Sequence, residues 1–181
     1  MPAKHPIKTL PPREYLLACF DYDPDTGALT WKRRPREHFP SEGQWTSWNT
    51  RFASKQAGGL NNKGYRVIVF RGNAYKAYRL IWKWMTGEEP PDNPDHKDGN
   101  PDNNRWANLR PATQPQQSWN TRLHKDNSIG FRGVQRTPSG KFAARIWIDG
   151  AYRSLGSFNT PEEAAAAREP IARQQRGEFY R

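Results

Sequence analysis

The amino-acid sequence predicts an α+β fold built from small modules, the last of them a three-stranded antiparallel sheet packed on one helix. Three observations support this. The hydrophobic fraction is only 34%, with 14 glycines and 16 prolines among 181 residues, so cores must be small and loops plentiful. Short alternating runs such as YRVIVF (65–70) and KFAARIWI (141–148) are bounded by turn residues, as strands are. Helical spacing is confined to a few stretches, chiefly RLIWKWM and EEAAAAREPIARQQ. Eight tryptophans and eight phenylalanines compensate in part, because each aromatic buries a large area.

Residues 1–9 are polar and basic with no periodicity, and are expected to fray. Pro11 and Pro12 suit a helix start, and EYLLACF (14–20) carries apolar residues on more than one face of a short helix. DYDPDTGALTW then reads as strand, turn, strand, with Asp23 to Gly27 supplying turn chemistry. Residues 33–59 are polar and are expected to form a long loop with one helical piece, anchored by Trp45, Trp48 and Phe52 in irregular structure. The hairpin signal is clearest in YRVIVF-RGN-AYKAY, which runs into a helix with Leu80, Ile81, Trp84 and Met85 at helical spacing and Gly87 as its stop. Pro90, Pro91 and Pro94 hold the following chain extended.

After a polar connector, three strands (GFRGVQRT, KFAARIWI, AYRSLGSF) lead to a helix that Asn159 or Thr160 can cap, with Pro161 in its first turn. Pro170 is expected to kink that helix or end it early. The domains expected are 1–59 (N-terminal helix, hairpin and irregular region), 60–124 and 125–181.

The net charge of +11 favours a polyanionic partner, through counterion release and long-range steering. No run of about 18 apolar residues exists to span a membrane, and no apolar signal core follows the start, so a soluble, cytoplasmic protein is expected. Cys19, the single cysteine, can make neither an intramolecular disulfide nor a thiolate metal site, and is expected to fill core space.

The stretch 94–120, PDHKDGNPDNNRWANLRPATQPQQSWN, concentrates the chemistry. Phosphodiester hydrolysis needs an activated water and charge neutralisation at the phosphate. A histidine near neutral pKa can take the water's proton, and a divalent cation on hard oxygen ligands can neutralise the phosphate. Asp95 and His96 supply an oxygen ligand and a base side by side, and the Gly99, Pro101 and double-asparagine loop lets the strand end bend so that both can act.

DHKDGNPDNNRWANLR followed by QPQQSWN resembles the HNH endonucleases, in particular the homing-type class common in phage genomes. The resemblance implies a small ββα-metal nuclease domain in residues 60–124 and a phage-encoded protein at work in the bacterial host cytoplasm. It implies His96 as general base, Asp95 as a metal ligand, and Asn108, twelve residues after His96, as the side chain that bonds across the loop and fixes His96. It also implies Mg2+ or Mn2+ as cofactor. For the last ligand, nine residues beyond Asn108, relatives place asparagine or histidine, whereas this chain has Gln117; Asn120, one helical turn further on, is the alternative. Relatives also often carry His-Arg where this chain has Tyr78-Arg79, so Tyr78 is expected to pack with its hydroxyl near polar groups.

The pieces RGV, GKFAA, LGSF and TPEEAA resemble the Apetala-two, or ethylene-response-factor, DNA-binding domain, whose three-stranded sheet enters the major groove. Alternation alone puts Ala144, Ile146 and Ile148 towards the helix and Ala143, Arg145 and Trp147 on the opposite face. Arg132, Gln135, Arg145, Trp147 and Tyr152 are the expected DNA contacts, with Arg136 and Lys141 on phosphates. Ser139 and Ser154 stand where the plant domains carry tryptophan, so only the binding mode carries over, not a target sequence.

The activity expected is divalent-metal-dependent cleavage of double-stranded DNA, nicking when a single site acts, with monomer and dimer both open. The alternative is a retired nuclease scaffold serving as a DNA-binding regulatory or packaging accessory protein.

Overall fold

The computed structural model describes residues 9–91, 94–120, 123, 126–148 and 150–180, and of Gln114 and Asn120 the backbone only. The chain mixes helix and sheet and divides into two compact units, Met1–Gln114 and Pro115–Arg181.

In the first unit α1 (Arg13–Cys19) follows Pro12 and buries Leu16 and Cys19. Strands β1 (Phe20–Tyr22) and β2 (Leu29–Trp31) pair antiparallel with Phe20 opposite Trp31. Their turn forms because the Asp23 carboxylate accepts from the backbone of Asp25 at 2.9 Å and from the Thr26 hydroxyl at 2.7 Å. A 3-10 turn (Arg36–His38) precedes α2 (Glu42–Phe52).

Trp45, Trp48 and Phe52 therefore sit on an 11-residue helix, not in irregular structure. Its start was written in Ser41, whose hydroxyl accepts from the backbone of Gln44. It buries Asn49, whose side-chain amide bonds the Arg34 backbone, and its half-buried Trp48 packs edge-on to Trp31 at 4.9 Å.

Strand β3 (Gly59–Leu60) pairs with β4 (Arg66–Phe70), and β4 pairs with β5 (Asn73–Lys76) through a two-residue turn at Arg71 and Gly72. The chain then enters α3 (Ala77–Thr86), which ends at Gly87 in the left-handed conformation at φ 81°. One core unites these elements around Leu16, Phe20, Leu29, Ile68, Leu80 and Ile81, all essentially inaccessible to solvent. The ribbon β6 (Asp95–His96) and β7 (Leu109–Arg110) completes the unit.

The second unit begins with α4 (Gln114–Asn120), which straddles the boundary, and continues as β8 (Val134–Arg136), β9 (Phe142–Ile148), β10 (Ala151–Phe158) and α5 (Pro161–Arg176). The sheet order is β10-β9-β8, antiparallel throughout. Thr160 and Glu163 close a capping box at the start of α5.

Of the two effects expected of Pro170, early termination does not occur: α5 runs on to Arg176. Pro170 faces solvent, where water can satisfy the carbonyl it orphans, while Ala164, Arg168, Ala172 and Arg176 keep a buried stripe against the sheet. Among the described residues no helix is long and apolar enough to cross a membrane.

Candidate functional site

The β6–β7 ribbon puts Asp95 opposite Arg110 and His96 opposite Leu109. Twelve residues join the two strands, and side chains tie that loop to itself. The Asn108 amide donates to Asp98 Oδ1 at 3.0 Å and to the Asn103 carbonyl at 2.7 Å, and Asn108 Oδ1 accepts from the Asp98 backbone at 3.1 Å. Partial burial pushes the Asp98 carboxyl up, but hydrogen bonds from Asn103, the Asn100 backbone and Asn108 outweigh it and hold the group below its ordinary value.

Asn108 thus bonds across the loop, as expected. The amide in contact with His96, however, is that of Asn104. His96 is only 5% exposed, and its Nε2 lies 3.1 Å from Asn104 Oδ1. Asn104 Nδ2 donates to the Asp102 carbonyl at 3.2 Å, which turns Oδ1 towards the ring. Nε2 therefore carries the proton and Nδ1 is the basic nitrogen. Burial lowers the His96 pKa below 6.5, opposed by the Asn104 bond and by Asp95, Asp98 and Asp102, so the ring is neutral at pH 7.

Two tyrosines wall the imidazole: Tyr78 edge-on at 5.3 Å between ring centres and Tyr65 at 6.2 Å. Tyr78 packs as expected, with its hydroxyl 3.4 Å from Lys76 Nζ, and burial pushes its pKa up to about 12. Lys76 lies over the Tyr65 ring at 4.4 Å, and burial lowers its pKa, reinforced by Lys63 and Arg79. The imidazole therefore stands against aromatic rings and away from bulk water.

The N-terminal hairpin holds the loop from behind. Tyr22 donates its hydroxyl to the Asn104 carbonyl at 2.7 Å, and the Trp106 backbone donates to the Pro24 carbonyl at 3.1 Å. Gly27 has φ 77°, and a Cβ there would meet the Arg105 nitrogen at 2.5 Å, so only glycine lets the hairpin approach this closely.

Asp95 is nearly buried and ion-paired. Arg110 Nε and Nη2 approach its Oδ2 at 3.0 and 2.9 Å. Among the described residues no three His, Cys, Asp or Glu side chains gather as a metal site. Gln117 lies half-buried on α4 of the second unit, and the Asn120 side chain lies outside the described residues. A carboxylate oxygen such as that of Asp95 is the donor type a hard cation such as Mg2+ or Mn2+ takes, and Arg110 already shares that carboxylate.

In the second unit the face of the sheet away from α5 is set by register. Gln135 pairs with Ala143, Ser154 with Arg145, and Tyr152 with Trp147. Trp147 and Tyr152 are 51% and 73% exposed and meet edge-on at 4.6 Å. Gln135, Arg145 and Tyr152 line a shallow cavity of about 270 Å³ with Gly133.

Arg136 pairs with Phe142, on the other side of the pleat, and Lys141 is exposed just before β9. Arg132 stands apart from this group: it is half-buried, donates to the Ser118 carbonyl at 3.2 Å, and lines a cavity with Arg168 and Ala165 of α5.

Sequence reasoning missed Asn104 and Arg110. The double asparagine 103–104 reads as turn chemistry, and Arg110 reads as a solvated charge until the ribbon's register sets it opposite Asp95.

Comparison with known proteins agrees with this geometry. Residues 75–118 match the family model of the HNH endonucleases. A protein of Acanthamoeba polyphaga mimivirus, described as an uncharacterized HNH endonuclease, is 31% identical over 122 residues, which are 66% of this chain and 63% of that relative. The chain thus spans less than two thirds of the length of the curated relative it matches. No solved structure matches the chain. The segment that holds the β6–β7 ribbon and the His96 loop is therefore similar to the HNH endonucleases.

Proposed function

We propose that this protein is a divalent-metal-dependent DNA endonuclease in which His96 is the general base. The observation that carries this reading is the state of His96: neutral, shielded, and held by Asn104 so that Nδ1 is free of the proton. A base that must accept a proton from water at neutral pH needs those properties.

In this reading Asn104 fixes the tautomer of His96, while Asn108 and Asp98 fix the loop that carries Asn104. Asp95 and either Gln117 or Asn120 would hold the cation, and the chemistry supplied when Mg2+ or Mn2+ is bound is neutralisation of the phosphate and of the departing oxygen. Lys76 and Arg79 add positive charge on the side of Tyr78, where an approaching phosphate is attracted.

The second unit holds the duplex through an Apetala-two-type sheet. Arg145, Trp147, Tyr152 and Gln135 meet the groove, and Arg136 and Lys141 meet phosphates; Arg132 contributes least, because its guanidinium is already engaged. A single site cuts one strand, so the monomer nicks. The test is conversion of supercoiled plasmid to the open circle in Mg2+ or Mn2+: an intact plasmid, with His96→Ala indistinguishable from wild type, would sink the proposal.

A second reading, the retired scaffold that only binds DNA, draws on the buried Asp95–Arg110 pair, since Arg110 already compensates the carboxylate that a cation would need. Calorimetric Mn2+ titration of wild type and Asp95→Ala separates the two. A working site loses affinity on substitution, whereas a retired one shows no difference.

A further inference from the structure

The first unit contains a cationic cavity that this nuclease reading does not use. It has a volume of about 540 Å³ and is lined by Tyr15, Arg34, Glu37, His38, Phe39 and Arg71. Arg34 is 6% exposed, yet among the described residues no carboxylate pairs with it or with Arg71. Its guanidinium lies 4.7 Å from the Phe39 ring centre and 4.8 Å from that of Trp48, its Nη2 donates to the Tyr15 hydroxyl at 2.9 Å, and its buried Nε has no partner. A buried cation with an unmet donor is costly unless something outside the chain completes it.

A second, independent sign is the backbone at Arg71. It adopts φ 52° as the first residue of the two-residue β4–β5 turn, with Gly72 at φ 70°. Such a turn favours asparagine or glycine at that place, and an arginine there carries strain. Its side chain lies over Tyr15, 4.8 Å from the ring centre, on the wall of the cavity.

His38 stacks on the Tyr15 ring, 4.2 Å between centres, and its Nδ1 lies 3.7 Å from the Cys19 sulfur. Burial pushes the Cys19 thiol up, so it keeps its proton and can donate to Nδ1, in which tautomer Nε2 is the N–H donor. Three side chains that can donate to an anion, Arg34, Arg71 and His38, thus meet at one cavity. Glu37 is the one acid on its wall.

We propose that this cavity is a phosphate-binding site, taking the phosphate group of a nucleic-acid backbone or of a small phosphorylated ligand. The site is separate from the His96 chemistry: Arg71 stands at the tip of the β4–β5 hairpin, whereas Tyr65 and Lys76, which border His96, stand at its base. The charge of the strained arginine then faces the ligand.

The test is proton NMR of the His38 ring in the full chain, with inorganic phosphate and, separately, a short duplex DNA as probes, applied to wild type and Arg71→Asn. Saturable movement of the His38 resonance with a raised pKa, weakened about tenfold or more in Arg71→Asn without a lower melting temperature, is the expected result. Movement with phosphate alone assigns a small phosphorylated ligand. Movement with duplex that phosphate reverses assigns the backbone. No movement with either probe, or equal binding by Arg71→Asn, overturns the proposal. Plasmid nicking is not part of this readout, so failure here leaves the endonuclease reading standing, and the reverse holds too.

Discussion

The loop around His96 and the open face of the C-terminal sheet are both polar, but they are built in opposite ways. In the loop nearly every polar side chain is spent on another: Asn108 on Asp98 and Asn103, Asn104 on His96, and Arg110 on Asp95. On the sheet face Trp147 and Tyr152 stand out into solvent with little to hold them beyond each other. A group that must move a proton in a fixed direction benefits from a shell made in advance. A face that must fit a long, variable polymer benefits from aromatic and cationic side chains left open. On the proposed function, the difference separates chemistry from holding.

The sharpest way to break that division is His96→Ala. We expect nicking of plasmid to fall by roughly 10²- to 10⁴-fold, the usual worth of a general base, while duplex affinity measured by fluorescence anisotropy stays unchanged. The mirror experiment is Trp147→Ala with Tyr152→Ala. Duplex affinity should fall by about tenfold or more, with thermal stability within about 0.5 kcal/mol of wild type because both residues are exposed. If the pair instead destabilises the fold, the sheet face is structural.

Asn104→Ala should cost about 1–3 kcal/mol of stability by denaturant melts, since it strips a buried imidazole of its partner, and should lower kcat more than it raises KM. Asn108→Ala should affect kcat less, because its bonds reach His96 only through the loop.

The smallest effect expected is on pH. His96 and His38 are both held below 6.5 by burial, so the unfolded chain binds protons more readily than the folded one. Stability of the metal-free protein should therefore be fully present above about pH 6.5 and decline as pH falls through that value. Melts at pH 7.5 and 5.5 check the sign, and a higher melting temperature at pH 5.5 would contradict it.

Local signals carried much of the fold. The β4–β5 hairpin, α3 with its Gly87 stop, the three C-terminal strands and the capped α5 are each set by neighbours a few residues apart, which is why periodicity and turn chemistry found them. Residues 33–59 are expected to hold a helical piece, but not one that carries Trp45, Trp48 and Phe52, because its residues are mostly polar and Trp48 packs on Trp31, a partner from another element. At the candidate site, Asp95, His96 and Asn108 are singled out by the resemblance of their motif to the HNH endonucleases. Asn104 and Arg110 are not, since one acts by a bond that appears only when the loop closes and the other by the register of a two-residue ribbon. Pro170 shows the opposite limit: a strong local rule gave way to a buried stripe and an exposed ring.

The close approach of Gly27 to the backbone of Asn104 and Arg105 bears on how portable this motif is. The residues that spell out the His96 loop are contiguous, but the floor beneath them comes from a turn some eighty positions earlier in the chain. A truncated chain beginning at residue 60 would keep every letter of the motif and lose Tyr22, Pro24 and Gly27. Transplanting the motif without the N-terminal hairpin should therefore yield a loop that no longer holds His96 in this way.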